Sequence, residues 1–174
     1  MQVKSLSVQY SAEEIDQRVR FLAAQINSDY QDKPLVMICV LKGAFMFFSD
    51  LVKHVTVSPE VDFVRVASYG MGTSSTKTIS FTKDVEISLQ DKHVLLVEDV
   101  VDSGQTMQFL IAQMAARGAA SLKVAALVDK HERREVAVQV DYAGFYVQEG
   151  FIVGYGLDYA ERYRELPAIY VAEL

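Results

Sequence analysis

Residues 94–107 read VLLVEDVVDSGQTM. An aliphatic run of strand length is broken by two adjacent acids, Glu98 and Asp99, and then turns through Asp102, Ser103 and Gly104. The next segment, TMQFLIAQMAARG (106–118), has helical spacing and stops at Gly118. This is a buried strand, a tight turn and a helix. In an open α/β sheet such turns lie beyond the carboxyl ends of the strands, where ligands bind.

The same pattern recurs on either side. LVMICVL (35–41) is another continuous apolar run, followed by the helical KGAFMFFSDLVKHV (42–55), and LKVAALVD (122–129) is a third buried strand. VDFVRVASYG (61–70) alternates as a strand, whereas MGTSSTKT (71–78) has few groups able to pack and predicts a mobile loop. Near the start, Ser11 and Glu14 form a capping box ahead of Ile15, Val19, Leu22 and Ile26, which share one helical face. Buried strands alternating with helices predict an α/β fold: a mostly parallel twisted sheet with helices on both faces. The last third differs. YAGFYV (142–147), FIVGYGL (151–157) and YAERYREL (159–166) read as irregular strands and a short helix that form a small hood over one end of the sheet. No linker-like composition interrupts residues 1–174, so the expectation is a single domain.

Composition narrows the function. The chain has 174 residues, 17 basic and 23 acidic, with net charge −6, which argues against nonspecific nucleic-acid or anionic-membrane binding. A small anionic substrate remains compatible, because a local site or a bound cation outweighs net charge. The single cysteine, Cys39, lies within an apolar run, so no intramolecular disulfide is possible and it reads as a core residue of a reducing compartment. No apolar run reaches the roughly 18 residues of a membrane span, and the first residues have no signal-like apolar core. A cytoplasmic protein is expected. The histidines His54, His93 and His131 have no metal-ligand spacing.

The turn after Asp99 has the parts of a phosphate cradle. Gly104 allows close backbone approach, Ser103 and Thr106 supply hydroxyls, and the following helix presents its positive end. Beside it, two carboxylates can accept bonds from sugar hydroxyls or meet a divalent cation, so a sugar phosphate fits. Neither GxxxxGK[ST] nor GxGxxG opens any strand-to-helix turn. The alternative is that the acids merely end a strand and cap a turn.

VLLVEDVVDSGQTM resembles the phosphoribosyl pyrophosphate signature of the type I phosphoribosyltransferases, and the chain from about Tyr10 to Val171 is similar to the hypoxanthine-guanine phosphoribosyltransferases of the short bacterial kind. That resemblance implies a magnesium-dependent purine salvage transferase with the type I fold. It would move the 5-phosphoribosyl group from phosphoribosyl pyrophosphate to N9 of hypoxanthine, guanine or both, giving IMP or GMP and pyrophosphate. Glu98 and Asp99 would contact the ribose directly or through Mg2+. The segment Asp102, Ser103, Gly104, Gln105, Thr106 would wrap the 5-phosphate, with Asp102 also the catalytic acid or base near N7. Leu41, Lys42 and Gly43 match the pyrophosphate loop, whose peptide before the lysine is often cis, and Arg164 would also bind pyrophosphate. Ser68 and Tyr69 match the start of the family's mobile lid, here about residues 69–80. Lys130 would donate to the 6-oxo group, Phe151 would stack on the purine, the Ile152 carbonyl would accept from its edge, and Asp158 would hold a second magnesium. Taken without the family, Lys130 in DKHERR reads as a solvated charge run, Phe151 as core and Asp158 as a helix N-cap.

Two rivals follow from the same fold: a regulator that binds RNA, disfavoured by the charge, and a transferase acting on xanthine or a pyrimidine. Phe45, Met46, Phe47 and Phe48 encircle one helix, so some of them should meet a partner subunit in a homodimer or homotetramer.

Overall fold

The computed structural model describes residues 3–69 and 78–173. A continuously apolar strand is stable only when both of its faces are covered, and the central strands satisfy this condition. They are β2 (Leu35–Leu41), β5 (His93–Val101) and β6 (Ser121–Lys130). With β3 (Glu60–Tyr69), β4 (Thr78–Lys83) and β7 (Tyr142–Val147) they form a six-stranded sheet ordered β4-β3-β2-β5-β6-β7. All neighbours pair in parallel except β3 with β4.

The two-residue period of the strands divides the core. Met37, Cys39, Leu95, Val97, Ala125 and Leu127 pack beneath α1 (Ala12–Asp29) and α2 (Phe45–His54). Val36, Ile38, Val40, Val94, Leu96 and Ala126 pack on the other face, against Met107, Leu110 and Met114 of α3 (Gln105–Ala115). Helices therefore cover both faces, as expected. The capping box at the start of α1 is complete: Ser11 N–H donates to Glu14 Oε2 at 2.8 Å, and Glu14 N–H donates to Ser11 Oγ at 3.3 Å. Within the phenylalanine run, Phe47 and Phe48 enter the core while Phe45 stays 43 % exposed. Among the described residues, no helix is long and apolar enough to cross a membrane.

The hood differs from the sequence expectation in three respects. It is a three-stranded antiparallel sheet ordered β1-β9-β8, and its β1 (Ser5–Tyr10) comes from the N-terminal end of the chain. β1 is almost wholly exposed apart from its pairing with β9 (Ile169–Glu173), so it carries no buried alternation to announce it. Second, YAGFYV is not hood: as β7 it pairs in parallel with β6 at the edge of the main sheet. There Tyr142, Phe145 and Val147 join the core under α1. Third, YAERYREL forms turns instead of a helix, with Ala160, Glu161 and Tyr163 at positive φ. The predicted mobile loop at 71–78 lies outside the described residues except for Thr78, which opens β4 opposite Tyr69.

Candidate active site

Parallel pairing brings the carboxyl ends of three buried strands to one rim. Cys39 of β2 lies beside Val97 of β5, and Val101 of β5 beside Asp129 of β6. Everything just beyond these residues is delivered together: Leu41 to Gly43 after β2, Glu98 to Thr106 along β5 and its turn, and Lys130 at the end of β6. The hood closes over this rim through β8 (Ile152–Val153) and the turns that follow it.

The acids sit where the sequence suggested, and the surroundings are apolar. Glu98 is buried, and its carboxyl is pushed well above the usual range by burial first and the Asp99 charge second. Burial likewise raises Asp99. Below them, burial and the same two acids push the Cys39 thiol up to about 12, so it is an inert core group. Asp102 Oδ1 is buried with no hydrogen-bond partner, a costly state for a carboxylate unless a ligand supplies the donor. Gly104 has φ +85° at the start of α3, and a Cβ there would stand 2.5 Å from the Val136 carbonyl. A cavity of about 170 Å³ is lined by Glu98, Asp99, Asp102, Ser103, Gly104 and Thr106. Gln105 is turned elsewhere, its amide donating to Glu135.

A second cavity of about 330 Å³ joins Asp99 and Asp102 to Lys130, Phe151, Ile152 and Asp158. Lys130 is not a solvated charge: it is 7 % exposed, and Nζ donates to the Gly150 carbonyl at 2.8 Å and pairs with Glu132 at 2.9 Å. Phe151 is not core either. It is 37 % exposed, lines this cavity and makes a T-shaped contact with Tyr159, ring centres 5.3 Å apart.

The third group gathers around Gly43. The Leu41–Lys42 peptide is cis. A Cβ on Gly43 would collide with the Asp99 carboxylate, and one on Gly156 would collide with the Gly43 carbonyl. Only glycines let these three segments approach so closely. Lys42 Nζ and Arg164 Nη2 share Glu161 Oε2 at 3.0 and 3.2 Å. Arg164 also pairs with Asp158 at 2.8 Å and donates to the Gly156 carbonyl at 2.7 Å, while its buried Nε has no partner. Asp158 additionally accepts from Glu161 N–H at 2.8 Å. Ser68 and Tyr69 stand at the end of β3, paired through the backbone with Ile79 and Thr78.

The profile of the phosphoribosyl transferase domain family matches residues 10–160. The chain belongs to the phosphoribosyltransferase family. It is 44% identical over 159 residues to the hypoxanthine-guanine phosphoribosyltransferase of Bacillus subtilis, covering 91% of this chain and 88% of that protein. Against the hypoxanthine phosphoribosyltransferase of Escherichia coli it is 44% identical over 158 residues, with 90% and 89% covered. The crystal structure of a hypoxanthine phosphoribosyltransferase from Staphylococcus aureus superposes with TM-score 0.92 at 38% identity, over 98% of this chain and 92% of that one. The resemblance drawn from residues 94–107 is therefore borne out, as is the type I phosphoribosyltransferase fold.

Sequence reasoning missed Arg134 and Glu161. Arg134 stood in an apparently solvated charge run, and Glu161 in an apparent helix; only tertiary contacts separate them from ordinary surface residues.

The raised carboxyls of this phosphoribosyltransferase carry a consequence for stability. The folded chain holds these protons more tightly than the unfolded chain does. That contribution is complete below about pH 4 and is lost as the pH climbs through the raised values. Glu98→Gln, in protein free of metal and substrate, is expected to raise Tm at neutral pH, by about 2–4 °C for each kcal/mol recovered. The gain should shrink near pH 5, where the wild-type pair is more protonated. Thermal melts at the two pH values check this, and an equal gain at both would contradict it.

Proposed function

We propose that this phosphoribosyltransferase is a purine salvage enzyme that transfers the 5-phosphoribosyl group from phosphoribosyl pyrophosphate to N9 of hypoxanthine, guanine or both. The observation that carries the reading is the 330 Å³ cavity, in which Asp102, with its unpartnered Oδ1, faces the same space as buried Lys130. A buried ammonium donates and cannot accept, so it suits a 6-oxo group and rejects a 6-amino group. Phe151 stacks on the ring and the Ile152 carbonyl meets its edge. The names of the relatives support the same base class.

In this account the turn from Asp102 to Thr106 holds the 5-phosphate, and Glu98 and Asp99 hold the ribose. Leu41, Lys42, Gly43 and Arg164 hold pyrophosphate, Glu161 giving up its shared contact as pyrophosphate enters. As N9 attacks C1 of the ribose, the bond from C1 to the pyrophosphate oxygen breaks and Asp102 takes the proton from N7. Holding both substrates in line supplies much of the rate. Ser68 and Tyr69 keep the lid role that the resemblance implies, excluding water from the reacting sugar.

Magnesium fits the donor set. Glu98 is buried and Asp99 half-buried beside it, and burial disfavours the charged form of both, a penalty that a bound cation would offset; among the described residues no third His, Cys, Asp or Glu completes a cage around them. Magnesium commonly takes one or two carboxylates and completes its shell with substrate oxygens and water. When bound by Glu98 and Asp99, with a second ion at Asp158, it would neutralise charge on the leaving pyrophosphate.

A homodimer or homotetramer is part of the proposal, supported by Phe45, Val61 and Phe63, which remain 43%, 40% and 37% exposed. So is a cytoplasmic setting, supported by the unpaired, buried Cys39. The test of function is nucleotide formation from phosphoribosyl pyrophosphate, magnesium and hypoxanthine or guanine. Product is expected with at least one of them, and none with either would refute the reading.

A further inference from the structure

We propose that Arg134 is a positioning residue that sets the distance between Asp102 and Lys130. The inference rests on the function proposed above, in which the two side chains address opposite parts of one purine. Arg134 is nearly buried, and its guanidinium makes five contacts. Nε donates to the Asp102 carbonyl at 2.8 Å, and Nη2 donates to the Val101 carbonyl at 2.9 Å, the Lys130 carbonyl at 3.0 Å and Asp129 Oδ1 at 2.5 Å. Nη1 reaches the Val138 carbonyl at 3.3 Å.

These acceptors are not a random set. Val101 ends β5, Asp102 opens the turn directly after it, and Lys130 ends β6, so one rigid planar group ties the backbone beneath the proton-accepting carboxylate to the backbone beneath the 6-oxo donor. The chain following Arg134 extends the brace. Glu135 and Val136 N–H both donate to the Ser103 carbonyl at 3.0 Å, and Val136 O fills the place of a Cβ on Gly104. The phosphate turn therefore rests on the segment that Arg134 anchors to β6. An ion pair with Asp129 alone would need no contact with Asp102 or Lys130; the carbonyl contacts are what a positioning role requires.

Arg134→Lys keeps a cation beside Asp129, but a single ammonium cannot span carbonyls on two strand ends. Its kcat with hypoxanthine is expected to fall about 100-fold, the cost of displacing reacting groups by about 1 Å. Affinity for inorganic pyrophosphate with magnesium, measured by calorimetry, should stay within about threefold of wild type, because Arg134 touches neither Lys42 nor Arg164. Asp129→Asn leaves the carbonyl contacts in place, so it should lower Tm while keeping kcat within about threefold. If Arg134→Lys does not fold, the double variant R134Q/D129N, which carries neither buried charge, replaces it with the same expectation. Wild-type-like kcat in the arginine variant would overturn the proposal. So would a parallel loss of pyrophosphate affinity, or an equal loss of kcat in Asp129→Asn. If wild type makes nucleotide from neither hypoxanthine nor guanine, the functional reading fails as well, and that result is distinct from the other three.

Discussion

Asp102→Ala is expected to lower kcat by about 10²- to 10⁴-fold, the range for removing a positioned general acid or base. The carboxylate stands in the turn that leads into α3, and its buried Oδ1 has no donor in the free protein. Folding therefore gains no hydrogen bond from that oxygen and bears the cost of burying it, so its removal should leave Tm at or above wild type. Binding of phosphoribosyl pyrophosphate should also survive, because Gly104, Ser103 and Thr106 still offer their backbone and hydroxyl groups around the cavity they line. Single-turnover kinetics beside a calorimetric measurement of substrate binding separate the two. Near-normal turnover would remove Asp102 from proton transfer, and loss of binding with turnover would make it a substrate ligand.

Gly43→Ala is the second large effect. The added methyl would fall on the carboxylate of Asp99, a residue that lines both cavities, and the Gly43 carbonyl already lies close against Gly156. Neither neighbour can yield cheaply: Asp99 is held through Val100 N–H at 2.9 Å, and Gly156 sits at φ +98° in a tight turn. Displacing the Asp99 carboxylate by about 1 Å is expected to cost about 100-fold in kcat/KM. Crystallography of the variant and its steady-state kinetics check this together. Full activity with an undisplaced Asp99 would show that the loop relaxes outward and that the close approach is not required.

The central fold was legible because its signals are local. Continuous apolar runs at 35–41, 94–97 and 124–128 state buried strands directly, and the Ser11 and Glu14 pair states a helix start. The hood was not. β1 is an exposed strand stabilised by pairing with a partner more than 150 residues away in sequence, for which no local pattern exists. YAGFYV was misplaced because an edge strand and a hood strand share the same alternation, and only the register with β6 distinguishes them. The site divides in the same way. Glu98, Asp99 and Asp102 interrupt apolar sequence and stand out. Lys130 and Arg134 lie in a run of charges, where burial by strand order and hood closure is invisible.

The most direct test of the account is a parallel turnover panel with phosphoribosyl pyrophosphate and magnesium against hypoxanthine, guanine, xanthine, adenine and uracil. The proposed pairing of Lys130 with a 6-oxo group predicts nucleotide from hypoxanthine or guanine and none from adenine or uracil. Turnover of adenine at a comparable rate would contradict the assignment of Lys130 and the base pocket while leaving the sugar and phosphate site standing.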